Sequence, residues 1–362
     1  MERHPTLMSV SPKLVRRSSV ALATVAAASL ALTACGSDSA SGTITGEGST
    51  AQQKAMEQFA TVLTDNDGAV LDYTGSGSGD GIKKFLSGDV DFAGSDSPLK
   101  DDEVAKAKAR CGGNDAWHLP LVAGPVAVAF NVPGVDDLTL DASTLAKIFD
   151  SKITRWDDAA IKALNPGVSL PSTAIVPVHR SDSSGTTDNF TRYLGTAAPG
   201  DWPYPHSKEW AGTGGSGAAK STGVGDTVKK TQGAITYVEW GFATENDLGV
   251  AKVDFGAGAT ELTAKTAGKA LDSVTFTKPG QRDLVVDTDA LYAMKEAGAY
   301  PLLLTTYEIV CSTGYDDSAV SETLKAAFST ILDKGQDDLE SLGYVPLPAE
   351  FTKTLRGTID AL

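Results

Sequence analysis

Basic side chains are in deficit. The 362 residues carry 31 Lys and Arg against 46 Asp and Glu, a formal net charge of −15. A nucleic-acid binder presents a basic face, and this balance argues against one. A small anion is still admissible if the groups that meet it are local and neutral or dipolar, because the long-range field opposes its capture. Cysteine is scarce: Cys35, Cys111 and Cys311 are the only three, and their spacing gives no metal pattern. Of four histidines, His118, His179 and His206 lie beyond the N-terminal segment, and none sits in a triad motif. No Gly-x-x-x-x-Gly-Lys-Ser/Thr phosphate loop occurs, and no internal repeat of about 20–50 residues. Aromatics reach only 7% while Gly numbers 37, which suits an α/β chain with many tight turns better than a disordered one.

Long apolar runs are also missing, with one exception near the start. Val20 to Leu32 follows Arg16-Arg17 and has the length of an export-signal core. No later segment reaches the ~18 apolar residues of a spanning helix. Leu32-Thr33-Ala34-Cys35 sets small residues before a cysteine and resembles the bacterial lipobox. That resemblance implies a signal peptide over residues 1–34 and a lipidated Cys35 as the first mature residue. A Ser/Gly/Asp tether over 35–42 would follow, with the protein held on the extracytoplasmic face of the cell membrane. The alternative is an ordinary secretory leader with an incidental cysteine. Cleavage removes Arg3, Lys13, Arg16 and Arg17 against only Glu2, so the mature chain is more acidic still. Outside the cytoplasm disulfides persist, so Cys111 and Cys311 form either one bridge from early to late sequence or two buried thiols.

What is present is a series of strand–loop–helix units. With 41% hydrophobic residues the chain exceeds what one core usually holds, and two domains are expected. Thr43-Ile44-Thr45 predicts a strand, and the spacing of Ala55, Met56, Phe59, Val62 and Leu63 a helix over 51–63, with Thr50 and Gln53 as its capping box. Val70–Tyr73 predicts a strand, Gly75–Gly79 a loop, and Ile82, Phe85 and Leu86 a short helix stopped by Gly88. Val90 and Phe92 alternate as a strand, after which Ser97 reads as the cap of a helix opening at Pro98. Strands are expected at 126–132, 175–178, 234–238 and 302–310. Helices are expected at 145–149, 159–164, around Phe190–Leu194 with Gly195 as stop, and at 321–332. The Gly/Ser/Thr-rich stretch 211–225 reads as loop at least in part. The class is α/β with parallel-sheet character.

Three loops share one design: Gly46–Thr50, Gly75–Gly79 and Ser183–Thr186 each run from a strand into a helix. A helix N-terminus offers unpaired N–H groups and about half a positive charge. Glycine allows close approach and Ser/Thr hydroxyls add donors, so each loop is a plausible anion cradle. Gly46-Glu47-Gly48-Ser49-Thr50-Ala51 loosely fits a dinucleotide loop, but Glu47 would set a carboxylate against the phosphates.

The order of the motifs is more specific. Asp72–Lys83, Val90–Leu99, Lys152–Asp158 with Leu164–Gly167, His179–Thr187 and Gly233–Glu239 together resemble bacterial periplasmic phosphate-binding proteins, from about residue 43 to the C-terminus. The resemblance implies a two-lobed periplasmic-binding-protein fold of type II, a Venus flytrap with two hinge crossings. Lobe I would be 43–125 and 299–362, and lobe II 126–298. It implies phosphate bound by Thr50 through hydroxyl and N–H, Ala51 through N–H, and Ser78 through hydroxyl and N–H. Asp96 would accept the ligand's proton. Arg180 would pair with phosphate oxygens, held by Asp182, and Ser184, Gly185 and Thr186 would close the far side. The implied protein is a monomer without cofactor or metal and is not an enzyme. It would pass phosphate to an ABC permease and its ATPase. Three positions depart from the family pattern: Ala51 and Asp188 stand where aromatics are common, and Ser183 replaces a usual Gly. The competing class is a hydrolase using Ser184 or Ser78 as nucleophile, which no neighbouring triad supports. A third reading keeps the fold and changes the oxyanion.

Overall fold

The computed structural model describes residues 42–66 and 68–362. The expected signal peptide, Cys35 and the expected tether up to residue 41 lie outside the described residues.

The strands, in chain order, are β1 (Thr43–Gly48), β2 (Val70–Gly75), β3 (Phe92–Ser95), β4 (Ala116–Phe130), β5 (Thr139–Asp141) and β6 (Val176–Arg180). They continue with β7 (Ser216–Ala218), β8 (Ala234–Glu239), β9 (Gly249–Val250), β10 (Lys252–Asp254), β11 (Ala259–Thr260) and β12 (Leu303–Cys311). One nine-stranded sheet runs β2-β1-β3-β12-β4-β8-β6-β7, with β9 on the flank of β4. β1, β2 and β3 pair in parallel, as do β6, β7 and β8. The C-terminal ends of each set therefore face one edge, where open α/β sheets place their ligands.

β4 makes the architecture two-lobed. From Ala116 to Pro125 it pairs antiparallel with β12, and from Val126 to Phe130 antiparallel with β8. Its residues from His118 to Phe130 are all buried. That continuous burial explains why the run reads as apolar without alternation, as a strand covered on both faces does. Beside the change of partner, Val126 N–H donates to Leu302 O at 2.9 Å, so the chain passes between the two halves twice at one place. Separate cores lie on either side. One gathers Val126, Phe130, Phe149, Trp156, Phe190 and Tyr237; another gathers Ile44, Phe59, Phe92, Leu121 and Phe328. A smaller third cluster holds Ile82, Phe85 and Tyr307 around a Cys111–Cys311 disulfide, with Cα atoms 5.3 Å apart.

Several expectations need correcting. The first helix is Gln53–Asn66, and the Thr50 hydroxyl meets Ser221 at 2.8 Å instead of capping it. Ser97 caps nothing: the next helix is Asp101–Arg110, with Lys100 in the capping position. A residue before proline is biased toward extended backbone, which delays the helix, and the Ser97 hydroxyl turns to Asp188. Gly195 does not stop its helix, which spans Gly185–Ala197 because buried Tyr193 and Leu194 hold that turn in the core. Within 211–225 the structure has β7 and the start of a helix, Lys220–Lys230.

Candidate anion-binding site

The three Gly/Ser/Thr loops open from β1, β2 and β6, and Asp96 follows β3. Thr50, Ala51, Ser78, Asp96, Arg180, Ser184, Gly185 and Thr186 are brought to one cleft and are all buried. Two glycines show how tightly. Gly48 has φ +147°, and a Cβ there would stand 2.0 Å from Gly94 O, so only glycine lets β1 lie against β3. A Cβ on Gly185 would stand 2.4 Å from Ser78 Oγ and 2.7 Å from Asp96 Cβ, so residues from the two halves touch there.

Asp96 is held asymmetrically. Its Oδ1 accepts from Ser49 Oγ at 2.6 Å and Thr306 Oγ1 at 2.8 Å. Its Oδ2 has only the longer 3.3 Å contact from Ser78 Oγ. Burial pushes its carboxyl up to about 6, against the Ser49 and Thr306 hydrogen bonds that pull it down. The Glu239 charge adds to the rise and Arg180 opposes it. At neutral pH the group is therefore mainly ionised.

Arg180 faces Asp96 from β6. Its Nε donates to Asp182 Oδ1 at 2.7 Å, its Nη2 bonds Asp182 Oδ2, and its Nη1 reaches Ser221 Oγ at 3.5 Å. Burial alone would lower the guanidinium pKa, but Asp182 more than offsets this and the pKa is raised. Lys220 N–H donates to the same Asp182 Oδ1 at 2.9 Å, which fixes the carboxylate and so the plane of the guanidinium.

Ser184 caps the helix Gly185–Ala197: its Oγ accepts Thr187 N–H at 3.2 Å, while its own N–H goes to Lys208 O at 2.9 Å. The Thr186 hydroxyl donates to Glu239 Oε1 at 2.9 Å. Ala51 N–H donates to Ser49 Oγ at 3.1 Å. Among the described residues the N–H groups of Thr50, Ser78, Gly185 and Thr186 have no protein acceptor. A buried N–H without a partner is rare and costs on the order of 1–3 kcal/mol, so these groups suit an anion.

Sequence reasoning missed five residues here. Ser49 lies inside a loop already singled out. Ser221, bonded to both Thr50 and Arg180, was hidden in the Gly/Ser/Thr-rich stretch. Thr306 and Glu308 come from β12 and carry no local signal, while Glu239 ends the Gly233–Glu239 motif without having been given a role. Glu308 is fully buried, accepts from Gln52 Nε2 at 3.1 Å, and burial raises its pKa well above the usual carboxylate range. His179 stacks on Trp210, with ring centroids 4.7 Å apart, and points its Nδ1 at Arg180 O rather than into the site. Among the described residues no group of His, Cys, Asp and Glu could hold a metal ion, and no helix is long and apolar enough to cross a membrane.

This geometry agrees with what the chain is similar to. A family model described as a PBP superfamily domain matches residues 33–330. Phosphate-binding protein PstS 3 of Mycobacterium tuberculosis is 42% identical over 370 aligned residues, covering 96% of this chain and 99% of that protein. The chain belongs to the PstS family of phosphate-binding proteins. Another PstS relative, phosphate-binding protein PstS 2 of Mycobacterium tuberculosis, is 39% identical with the same coverage. Among solved structures, a high-affinity periplasmic phosphate-binding protein bound with phosphate superposes with TM-score 0.71 at 25% identity. That match covers 87% of this chain and 93% of the other. A putative phosphate ABC transporter substrate-binding protein from Clostridium perfringens shares the fold at TM-score 0.59. The two-lobed PstS architecture is thus common to chains of quite different sequence.

Proposed function

We propose that this PstS-family protein captures inorganic phosphate outside the cytoplasm and delivers it to an ABC importer, its permease and ATPase. It works as a binding protein rather than an enzyme, held to the membrane through Cys35. One observation carries the reading: unpartnered N–H groups and one guanidinium converge on a cleft beside Asp96, whose Oδ2 has only a 3.3 Å contact from the Ser78 hydroxyl.

The chemistry follows from that asymmetry. Inorganic phosphate near neutral pH carries between one and two negative charges, as a phosphate ester does, but with a third ionisable oxygen it still keeps a proton. The Asp96 Oδ1 is taken by Ser49 and Thr306, so Oδ2 is the lone pair left to accept that proton. The N–H groups of Thr50, Ser78, Gly185 and Thr186 and the Arg180 guanidinium donate to the other oxygens. Ala51 N–H and the Thr186 hydroxyl join only by leaving Ser49 and Glu239; Ser184 N–H is taken by Lys208 O, but its Oγ, which accepts from Thr187 N–H, keeps its own O–H to donate to the ligand. Sulfate has no proton to give and would face an unpaired carboxylate, a penalty on the order of 1–3 kcal/mol, or about tenfold or more in affinity. Such selectivity by repulsion is an efficient way to separate two oxyanions of similar size.

Lobe I, 43–125 and 299–362, and lobe II, 126–298, would close on the ligand about the strand crossings near Val126 and Leu302. Calorimetry with orthophosphate and with sulfate tests the assignment on the mature chain. Saturable heat with phosphate and a much weaker response to sulfate are expected; no heat at millimolar phosphate ends it. Compaction on adding phosphate, read by solution scattering, tests the closure.

A further inference from the structure

Asp188 and Asn189 lie in the first turn of the helix Gly185–Ala197, and both are buried. Both side chains reach the Asp96–Ser97 turn that follows β3, across the cleft. Asp188 Oδ2 accepts from Ser97 Oγ at 2.6 Å, and Asn189 Nδ2 donates to Asp96 O at 2.6 Å. Neither side chain is free to turn away. Tyr292 OH donates to Asn189 Oδ1 at 2.7 Å, which leaves the amide nitrogen facing Asp96. His206 Nδ1 lies 2.6 Å from Asp188 Oδ1, and Arg192 Nη2 lies 3.0 Å from His206 Nε2. A His206 with its proton on Nδ1 satisfies both, giving a chain from Arg192 through His206 and Asp188 to Ser97. Burial works against a charge on Asp188, but the His206 and Ser97 hydrogen bonds outweigh it and keep the carboxyl below its ordinary value. The acceptor offered to Ser97 is a carboxylate, which makes this one of the stronger hydrogen bonds across the cleft.

We propose that Asp188 and Asn189 are positioning residues: together they clasp the Asp96–Ser97 turn when the lobes meet, fix the direction of the Asp96 carboxylate, and slow release of the ligand. An aromatic at position 188 could not accept this hydrogen bond, so the clasp belongs to chains with a carboxylate there. The clasp exists only where both halves touch, so its free energy falls on the dissociation step.

The proposal rests on Asp96 facing the ligand. Phosphate dissociation is followed by stopped-flow tryptophan fluorescence in the full mature chain. Ser97→Ala removes one hydrogen bond to a charged acceptor and is expected to speed release about tenfold. Asp188→Ala should do the same, the double variant should be no faster than either single one, and Asp188→Asn, which keeps an acceptor oxygen, should recover most of the loss. The ligand-free melting temperature of Ser97→Ala should stay near that of the parent, because the bond needs both lobes; should Asp188→Ala fail to fold, Ser97→Ala alone decides. Release from Ser97→Ala at the parent rate, or additive effects of the two substitutions, overturns the clasp. An unchanged phosphate-to-sulfate ratio in Asp96→Asn would instead overturn the reading of Asp96, which is a separate failure.

Discussion

The two walls of the cleft are built from opposite materials. The wall after β1, β2 and β3 offers hydroxyls, backbone N–H groups and an anionic acceptor, Asp96. The facing wall offers a cation, Arg180, and the N-terminus of the helix Gly185–Ala197. On the proposed reading, the second wall attracts any oxyanion and the first tells one from another. An acidic protein can bind an anion because the attraction is confined to a water-excluded site, where each donor counts for more than at the surface. On the proposed reading it can also be selective, because the buried Asp96 keeps one oxygen, Oδ2, with only a 3.3 Å contact.

If the division holds, the largest effect comes from the attracting wall. Arg180→Met should lower the affinity for phosphate and for sulfate alike, by on the order of 100-fold, since a charged partner of the ligand is lost. Calorimetry with both anions measures it, and a loss confined to phosphate would break the comparison. Asp96→Asn should act the other way, raising sulfate and lowering phosphate so that their ratio narrows at least about tenfold. The smallest effect needs no mutation. As pH falls through about 6 the buried Asp96 takes up a proton, which its raised pKa allows. A protonated carboxyl can donate to a sulfate oxygen, so sulfate should bind more tightly at pH values below that midpoint than above it. Folding is linked to the same group: its proton is bound more tightly in the folded chain than in the unfolded one. Asp96 therefore costs stability as pH rises from the unfolded value toward about 6, and the cost is constant above. A sulfate affinity that does not change across this range would show that Asp96 does not meet the anion.

Much of this arrangement was legible residue by residue. The Gly/Ser/Thr loops announced themselves because each needs a strand end, a flexible backbone and a helix start close together in sequence. The helix Ser78–Ser87 ends at Gly88 in the left-handed conformation, as a local stop signal should. Errors fell where a polar residue had two suitors. Thr50 and Ser97 both look like helix caps, and both give their hydroxyls to the opposite half of the molecule instead. The helix Lys220–Lys230 was obscured by the small and polar residues at its start, and with it Ser221.

The sequence by itself determined the units: which strands are buried on both faces, which loops can approach an anion, and which arginine and carboxylates attend them. Those are short-range properties, set by apolar periodicity and by the few residues that tolerate tight turns. Only the tertiary structure decided who meets whom. Thr50 finds Ser221 across 171 positions, and Asp96 is anchored by Thr306 across 210. No local pattern encodes such pairs, because a buried hydroxyl or carboxylate takes whatever partner the packing of distant strands brings within reach, and leaving one unpaired is costly.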